Sequence, residues 1–130
     1  LTMKLIDSLY SIISDSACES GHDFSIRLNP EHFIYKAHFP GEPITPGVCI
    51  MQISRELLEK STGLSLEIDY VKNIKFLRII SPSEISIVDC SLSKVSREDS
   101  HVKAQAVISA EGEICAKLSI SCKILDYGKN

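Results

Sequence analysis

Apolar positions along this chain change period more than once, and each change marks a different kind of element. Leu5, Ile6, Leu9, Tyr10, Ile12 and Ile13 recur at helical spacing, which predicts an amphipathic helix of about three turns closing before Ser14-Asp15-Ser16. Phe24, Ile26 and Leu28 then alternate with Ser25, Arg27 and Asn29, the period-two signature of a half-buried strand stopped by Pro30. From Pro46 to about Lys60 the spacing is helical again. The first half of that helix is apolar almost all round, through Val48, Cys49, Ile50, Met51 and Ile53; the second half mixes Leu57 and Leu58 with Arg55, Glu56 and Glu59. A helix apolar on every side must be buried on every side. Gly63 supplies its C-terminal cap.

Beyond Gly63 the chain alternates. Leu66, Ile68 and Tyr70 face away from Glu67 and Asp69, Ile74 and Phe76 lead into a turn at Pro82, and Ile85 to Leu92 shifts phase near Ile87-Val88, which predicts a bulge. Val102, Ala104, Ala106 and Ile108 form a further strand. A hairpin turn at Glu111-Gly112 joins it to Ile114, Ala116, Leu118, Ile120, Cys122 and Ile124, the longest alternating run. One buried helix followed by long antiparallel strands is an α+β pattern in which the sheet curls around the helix, here with an additional N-terminal helix packed on the sheet or across its end. The sheet leaves an edge strand, which has to be covered or paired.

A chain of 130 residues is enough for one core and too short for two, so residues 1–130 are read as a single domain. With 14 basic against 17 acidic side chains, a formal net charge of −3 and no basic run, the sequence carries no footprint for nucleic acid. No apolar run approaches the roughly 18 to 20 residues that span a bilayer, and the first residues lack the features of a signal peptide. A cytoplasmic protein with no membrane segment is expected. The five cysteines, Cys18, Cys49, Cys90, Cys115 and Cys122, are odd in number and lack CxxC pairing or a matching histidine, so they predict neither a metal site nor a disulfide framework. They read as reduced, several of them buried. Residues Asp126 to Asn130 read as a polar tail.

The candidate chemistry lies in His38 to Gln52, HFPGEPITPGVCIMQ. His38 carries a side chain that titrates near neutral pH, and the prolines and glycines after it stiffen the loop. Thr45-Pro46-Gly47 reads as a helix start, with Thr45 as N-cap, Pro46 at the first helical position and Gly47 leaving room for a ligand to approach bare N–H groups. Such a helix end carries partial positive charge and free donors, which can hold a carbonyl oxygen as it gains negative charge. Cys49 is either a nucleophile, which needs a thiolate and a nearby base, or a small apolar filler of the buried helix. His22, His32 and His101 sit in polar contexts and read as surface or loop residues.

At these residues the chain resembles the β-hydroxyacyl-(acyl-carrier-protein) dehydratases of the hot-dog fold. Their pattern runs HFPG-x-P-x-x-PGV-x-x-x-E, and His38-Phe39-Pro40-Gly41, Pro43 and Pro46-Gly47-Val48 match it without a gap. Ile74-Lys75-Phe76-Leu77-Arg78 and Ser81-Pro82-Ser83-Glu84 look like the family's lysine-phenylalanine-arginine strand and Pro-Gly-Asp turn. One position departs from the pattern. Gln52 stands where the family carries its catalytic Glu or Asp.

The resemblance implies removal of water from a 3-hydroxyacyl thioester, giving the trans-2-enoyl thioester. His38 would be the base, Phe39, Pro46, Gly47 and Val48 would bind substrate, and Gln52 or Glu56 would serve the leaving hydroxyl. An amide has no proton to give near neutral pH, although it donates a hydrogen bond. Glu56, one turn on and on the same face, is either the displaced acid or a solvated or ion-paired helix carboxylate. The same resemblance implies no cofactor beyond the phosphopantetheine arm of an acyl carrier protein, with a coenzyme A thioester as the alternative carrier. It also implies a homodimer or an oligomer of dimers, with sites at the subunit interface. Two competing readings stay open: a non-catalytic acyl-binding subunit of a hot-dog heteromer, whose partner supplies the missing carboxylate, and a hot-dog thioesterase.

Overall fold

The computed structural model describes residues 4–125; the polar tail expected at Asp126 to Asn130 lies outside them. Six strands form one antiparallel sheet: β1 (Tyr10–Cys18), β2 (Gly21–Leu28), β3 (Leu66–Phe76), β4 (Ile87–Glu98), β5 (His101–Ala110) and β6 (Glu113–Ile124). Two helices lie between β2 and β3, the short α1 (Ile34–Ala37) and the long α2 (Gly47–Thr62). The spatial order is β1-β2-β4-β5-β6-β3, so β2 pairs with β4 and β3 crosses to the far edge beside β6. The sheet curls around α2, as the α+β pattern requires.

Two observations explain why α2 lies inside. Ile50, Ile53, Leu57 and Leu58 are all buried, and they meet the inward faces of the strands at Ile26, Val88, Ala106 and Ile120 among others. In its second half the buried surface is charged, and each charge has partners. Arg55 Nη1 lies 2.9 Å from Glu59 Oε1 and donates to the Leu66 carbonyl at 3.1 Å, while Glu59 Oε2 accepts from the Leu66 amide at 2.8 Å. This ties the end of the helix to the start of β3. Gly63 caps the helix in the left-handed conformation, with φ of 73° and its N–H on the Glu59 carbonyl.

The N-terminal segment is not the expected helix. Residues Leu5 to Leu9 make a single turn and the chain continues as strand β1, paired with β2 from Tyr10↔Leu28 to Cys18↔Gly21. The reason is tertiary. Glu56, only 4% exposed, accepts hydrogen bonds from the Leu5 amide at 2.7 Å, the Ile6 amide at 2.8 Å and the Tyr10 hydroxyl at 3.0 Å. Leu5, Leu9 and Tyr10 are buried as a helical spacing would have them, but along a turn and a strand that α2 and β2 hold in place.

Irregularities in the sheet fall elsewhere than the alternation suggests. The phase change near Ile87-Val88 is no bulge: β4 starts at Ile87 and runs in register with β2 from Arg27↔Ile87 to His22↔Leu92. The shift in β4 comes at Ser93/Ser96, where Lys94 adopts φ of 50°. Leu66 to Phe76 is one strand, interrupted at Ile68/Tyr70 and Lys72/Lys75. In β6, Ile108 pairs with Ala116 but Ser109 with Ile114, so Cys115 is an extra residue, and its carbonyl accepts from the amides of Leu77 and Arg78 at 2.7 and 3.2 Å. Glu111-Gly112 makes the expected hairpin turn, with φ of 53° and 78° in the region glycine adopts freely.

The two edges of the sheet differ. Ser14, Asp15 and Ser16 face solvent on β1, a polar edge that discourages pairing. Tyr70, Ile74 and Phe76 are exposed on β3, followed by Leu77 and Ile79.

Removing the Glu56 carboxylate leaves two amides and a hydroxyl without an acceptor in a buried place. Glu56→Ala is expected to lower unfolding stability by about 3 kcal/mol, read as a lower urea midpoint. A midpoint equal to wild type would mean that the N-terminal segment does not depend on this carboxylate.

Candidate active site

The site is assembled where the loop after α1 meets the start of α2. His38 closes α1, its amide donating to the Ile34 carbonyl at 2.9 Å. Phe39 and Glu42 then exchange amide-to-carbonyl bonds at 3.0 and 2.8 Å, and the Ile44 amide donates to the His38 carbonyl at 2.8 Å. The prolines at 40 and 43 and Gly41, with φ of 78°, fit this tight turn. The His38–Phe39 peptide bond is cis, and the Phe39 ring stands edge-on to the imidazole with centroids 5.4 Å apart. The imidazole is exposed.

The helix start lies one residue later than Thr45-Pro46-Gly47 predicts. Pro46, with ψ of 148°, is itself the N-cap, and its carbonyl accepts the amides of Cys49 and Ile50 at 3.0 and 3.2 Å. Thr45 makes no cap because its hydroxyl lies 2.9 Å from the Tyr35 hydroxyl, a pair buried on both sides, and its amide donates to the Ile80 carbonyl at 2.8 Å. The amides of Gly47 and Val48 therefore stand at a helix end with no intrahelical acceptor. No acidic residue occupies the first turn, so nothing on α2 neutralises the partial positive charge there.

The ring of Phe76 sits on Gly47. A Cβ at residue 47 would lie 2.7 Å from Phe76 Cζ, so glycine is what lets β3 approach the helix end so closely. Behind this point an apolar crevice runs between the helix and the sheet, lined by Ile50, Ile53, Ile26, Val88, Ile108 and the Thr45 side chain. Its apolar lining suits an acyl chain, but its free space of about 10 Å³ holds no more than a water, so it has to widen to admit one.

Of the residues singled out from the sequence, His38, Phe39, Pro46, Gly47 and Val48 belong to this one loop and helix end. Gln52, half-buried, follows about 7 Å further along the α2 axis. Glu56 lies about 13 Å from Gly47 along that axis, with its oxygens on the N-terminal segment and Arg55 Nη2 at 3.6 Å. Cys49 is buried, and burial pushes its thiol above the ordinary range, which fits the filler reading. His32, expected at the surface or in a loop, lies in the loop before α1 but is only 8% exposed; its Nδ1 accepts the Ile34 amide, and burial lowers its pKa. Among the described residues no cluster of potential ligands is placed to hold a metal ion.

Three participants escaped the sequence reading: Tyr35, Ile80 and the contact of Phe76 with Gly47. Tyr35 and Ile80 act through bonds to Thr45 from distant parts of the chain. No local pattern signals such bonds.

The sequence pattern of the ApeI-like dehydratases, the family of ApeI dehydratase, matches residues 14–118. The chain belongs to this family. Among curated relatives, the 3-hydroxyacyl-[acyl-carrier-protein] dehydratase FabZ of Clostridium acetobutylicum is 28% identical over 93 residues, which is 66% of this chain and 66% of that relative, just under two thirds of its length. FabZ of Fusobacterium nucleatum is 27% identical over 127 residues, covering 94% of this chain and 86% of the relative. Among solved structures, the dehydratase heterocomplex ApeI:P from Xenorhabdus doucetiae superposes with a TM-score of 0.70 at 12% identity, over 86% of this chain and 96% of that one. A hypothetical thioesterase with coenzyme A from Streptococcus pneumoniae gives 0.63 at 9% identity, over 89% and 85%. These likenesses establish the hot-dog fold for this ApeI-like chain.

Burial predicts thiol behaviour that the cysteine pattern alone does not. Cys18 is exposed and the other four are buried, with burial pushing Cys90 and Cys122 up to about 12. A disulfide reagent near neutral pH is expected to titrate Cys18 rapidly in the native protein and all five thiols after unfolding. Rapid native labelling of Cys49 would contradict its role as filler.

Proposed function

We propose that this chain dehydrates 3-hydroxyacyl thioesters, presented on an acyl carrier protein or on coenzyme A, to the trans-2-enoyl thioester. The observation that carries the reading is the junction of an exposed histidine, on a loop closed by its own backbone bonds, with a helix end whose first amides have no intrahelical acceptor and no nearby acid on α2. In this reading His38 takes the proton from the carbon next to the thioester carbonyl. The Gly47 and Val48 amides hold the carbonyl oxygen as the electron pair moves onto it. The pair then returns to form the C2–C3 double bond, the C3–O bond breaks, and the hydroxyl leaves as water once it receives a proton. Phe39 and Pro46 flank the thioester, and the acyl chain enters along the apolar crevice, which widens to receive it, gaining about 0.8 kcal/mol per buried CH₂. The reaction needs no cofactor beyond the carrier's own phosphopantetheine.

The proton for the hydroxyl is the step this chain serves least well. Gln52 offers a hydrogen bond to the leaving group, and Glu56 is committed to the N-terminal segment. That favours a second form of the same reading, in which a hot-dog partner supplies a carboxylate across the subunit interface. The exposed apolar edge of β3, next to the Phe76–Gly47 contact, is the natural seat for that partner or for a second copy. Similarity in fold to the ApeI:P heterocomplex supports the heteromeric form; the family supports dehydration over hydrolysis. A cytoplasmic setting fits cysteines none of which is bridged.

The test follows enoyl product from 3-hydroxyacyl carrier-protein and coenzyme A thioesters. His38→Ala is expected to abolish turnover while the melting temperature stays near wild type. Gln52→Glu is expected to raise the rate of the isolated protein by on the order of 10²- to 10⁴-fold, the typical worth of a general acid. If a partner supplies the acid, wild-type activity appears only on adding a carboxylate-bearing family partner. Free thiol without enoyl product would establish a thioesterase instead. Light scattering at micromolar concentration is expected to give a dimer, and a monomer would remove the proposed role of the β3 edge.

A further inference from the structure

We propose that Tyr35 and Thr45 form a buried clasp that fixes the orientation of the loop carrying His38 relative to the start of α2, which makes Tyr35 a positioning residue. The inference rests on the dehydratase reading of that site and adds a residue to it. The nine residues 36–44 between the two carry His38, and their internal bonds, Phe39 with Glu42 and Ile44 with His38, fix the shape of the loop alone. Its orientation relative to the helix needs contacts from outside the loop. Two of these converge on Thr45: the bond from its amide to Ile80 and the 2.9 Å contact between its hydroxyl and that of Tyr35.

The clasp comes at the expense of a local preference. A threonine just before Pro-Gly is well suited to cap the helix, and capping is what the sequence leads one to expect. Instead Pro46 is the cap with no side-chain bond, and the Thr45 hydroxyl turns to Tyr35. Both residues are buried, at 3% and 5% exposure, so each hydroxyl depends on the other. Departures of this kind from a local rule concentrate where function constrains the backbone. Thr45 also lines the apolar crevice, so the clasp is part of the wall along which the acyl chain would run.

Tyr35→Phe removes one oxygen and no packing volume. It is expected to lower kcat by about 10- to 100-fold, the cost of a small misplacement of a reacting group, with KM nearly unchanged. Thr45→Val should match it and the double variant should be no worse, because both changes delete the same contact. Thr45→Ser keeps a hydroxyl and should restore kcat. Wild-type kcat in Tyr35→Phe, a defect confined to KM, or equal damage from Thr45→Ser and Thr45→Val would each overturn the proposal. The amide chemical shifts of His38, Gly47 and Val48 provide a readout independent of turnover: they should move in Tyr35→Phe and Thr45→Val and return in Thr45→Ser. If wild type and its partner mixtures make no enoyl product, the dehydratase reading falls, and unchanged shifts in Tyr35→Phe would overturn the clasp separately.

Discussion

α2 is buried along most of its length, though not on every side as its apolar first half predicts, since Val48 is 66% exposed and Lys60 faces solvent; its buried surface can carry only groups that the surroundings satisfy, and this requirement shapes the rest of the molecule. The first half meets it with aliphatic side chains. The second half meets it with ion pairs, backbone amides that donate to Glu56 and Glu59, and a backbone carbonyl that accepts from Arg55, since an unpaired charge in such a place costs several kcal/mol. Arg55 through Nη1 and Glu59 meet the start of β3, and Glu56 meets the first residues of the described chain, while the buried Arg55 Nε is left without a partner. The charged half of the helix thus fixes two segments far apart in sequence, one on each side of it.

The site lies at the opposite end, where the enclosure opens. The first amides of a helix have no partners within it, and here the loop from His38 to Thr45 and the ring of Phe76 surround that end without capping it through a side chain. Rigidity comes from bonds within the loop and from Thr45. In the proposed reaction the uncapped amides are the donors to the substrate carbonyl. Among the described residues nearly every buried polar side-chain atom has a partner, Arg55 Nε and Ser121 Oγ excepted, whereas the first amides of α2 are left for a developing negative charge in the proposed reaction.

On α2 the amide of Gln52 precedes the carboxylate of Glu56 by one turn. The later carboxylate is not idle. It accepts three hydrogen bonds from the N-terminal segment, which an amide in the same place could not do, having one acceptor oxygen rather than two. Glu56 is therefore a structural anchor for the N-terminal segment and the start of β1.

Much was legible in the residues alone, because it depends on local rules. Alternation placed β2, β5 and β6, since side chains on a strand must face opposite ways. The Glu111-Gly112 hairpin followed from backbone preferences, and the apolar start of α2 announced a largely buried helix, with Val48 exposed against that reading. The His38 motif likewise drew together the loop and the helix end that the structure joins. The sequence misread Leu5 to Ile13 as a helix because the spacing of buried residues along a turn and an edge strand coincides with a helical period. Only the pairing with β2 and the Glu56 carboxylate decide between them. The same holds for Thr45, whose side chain had two partners within reach, one local and one brought near by folding. Local pattern determined which residues are buried and which bend the chain; tertiary structure alone decided which hydrogen-bonding group each buried polar atom meets, because that choice is made between residues distant in sequence.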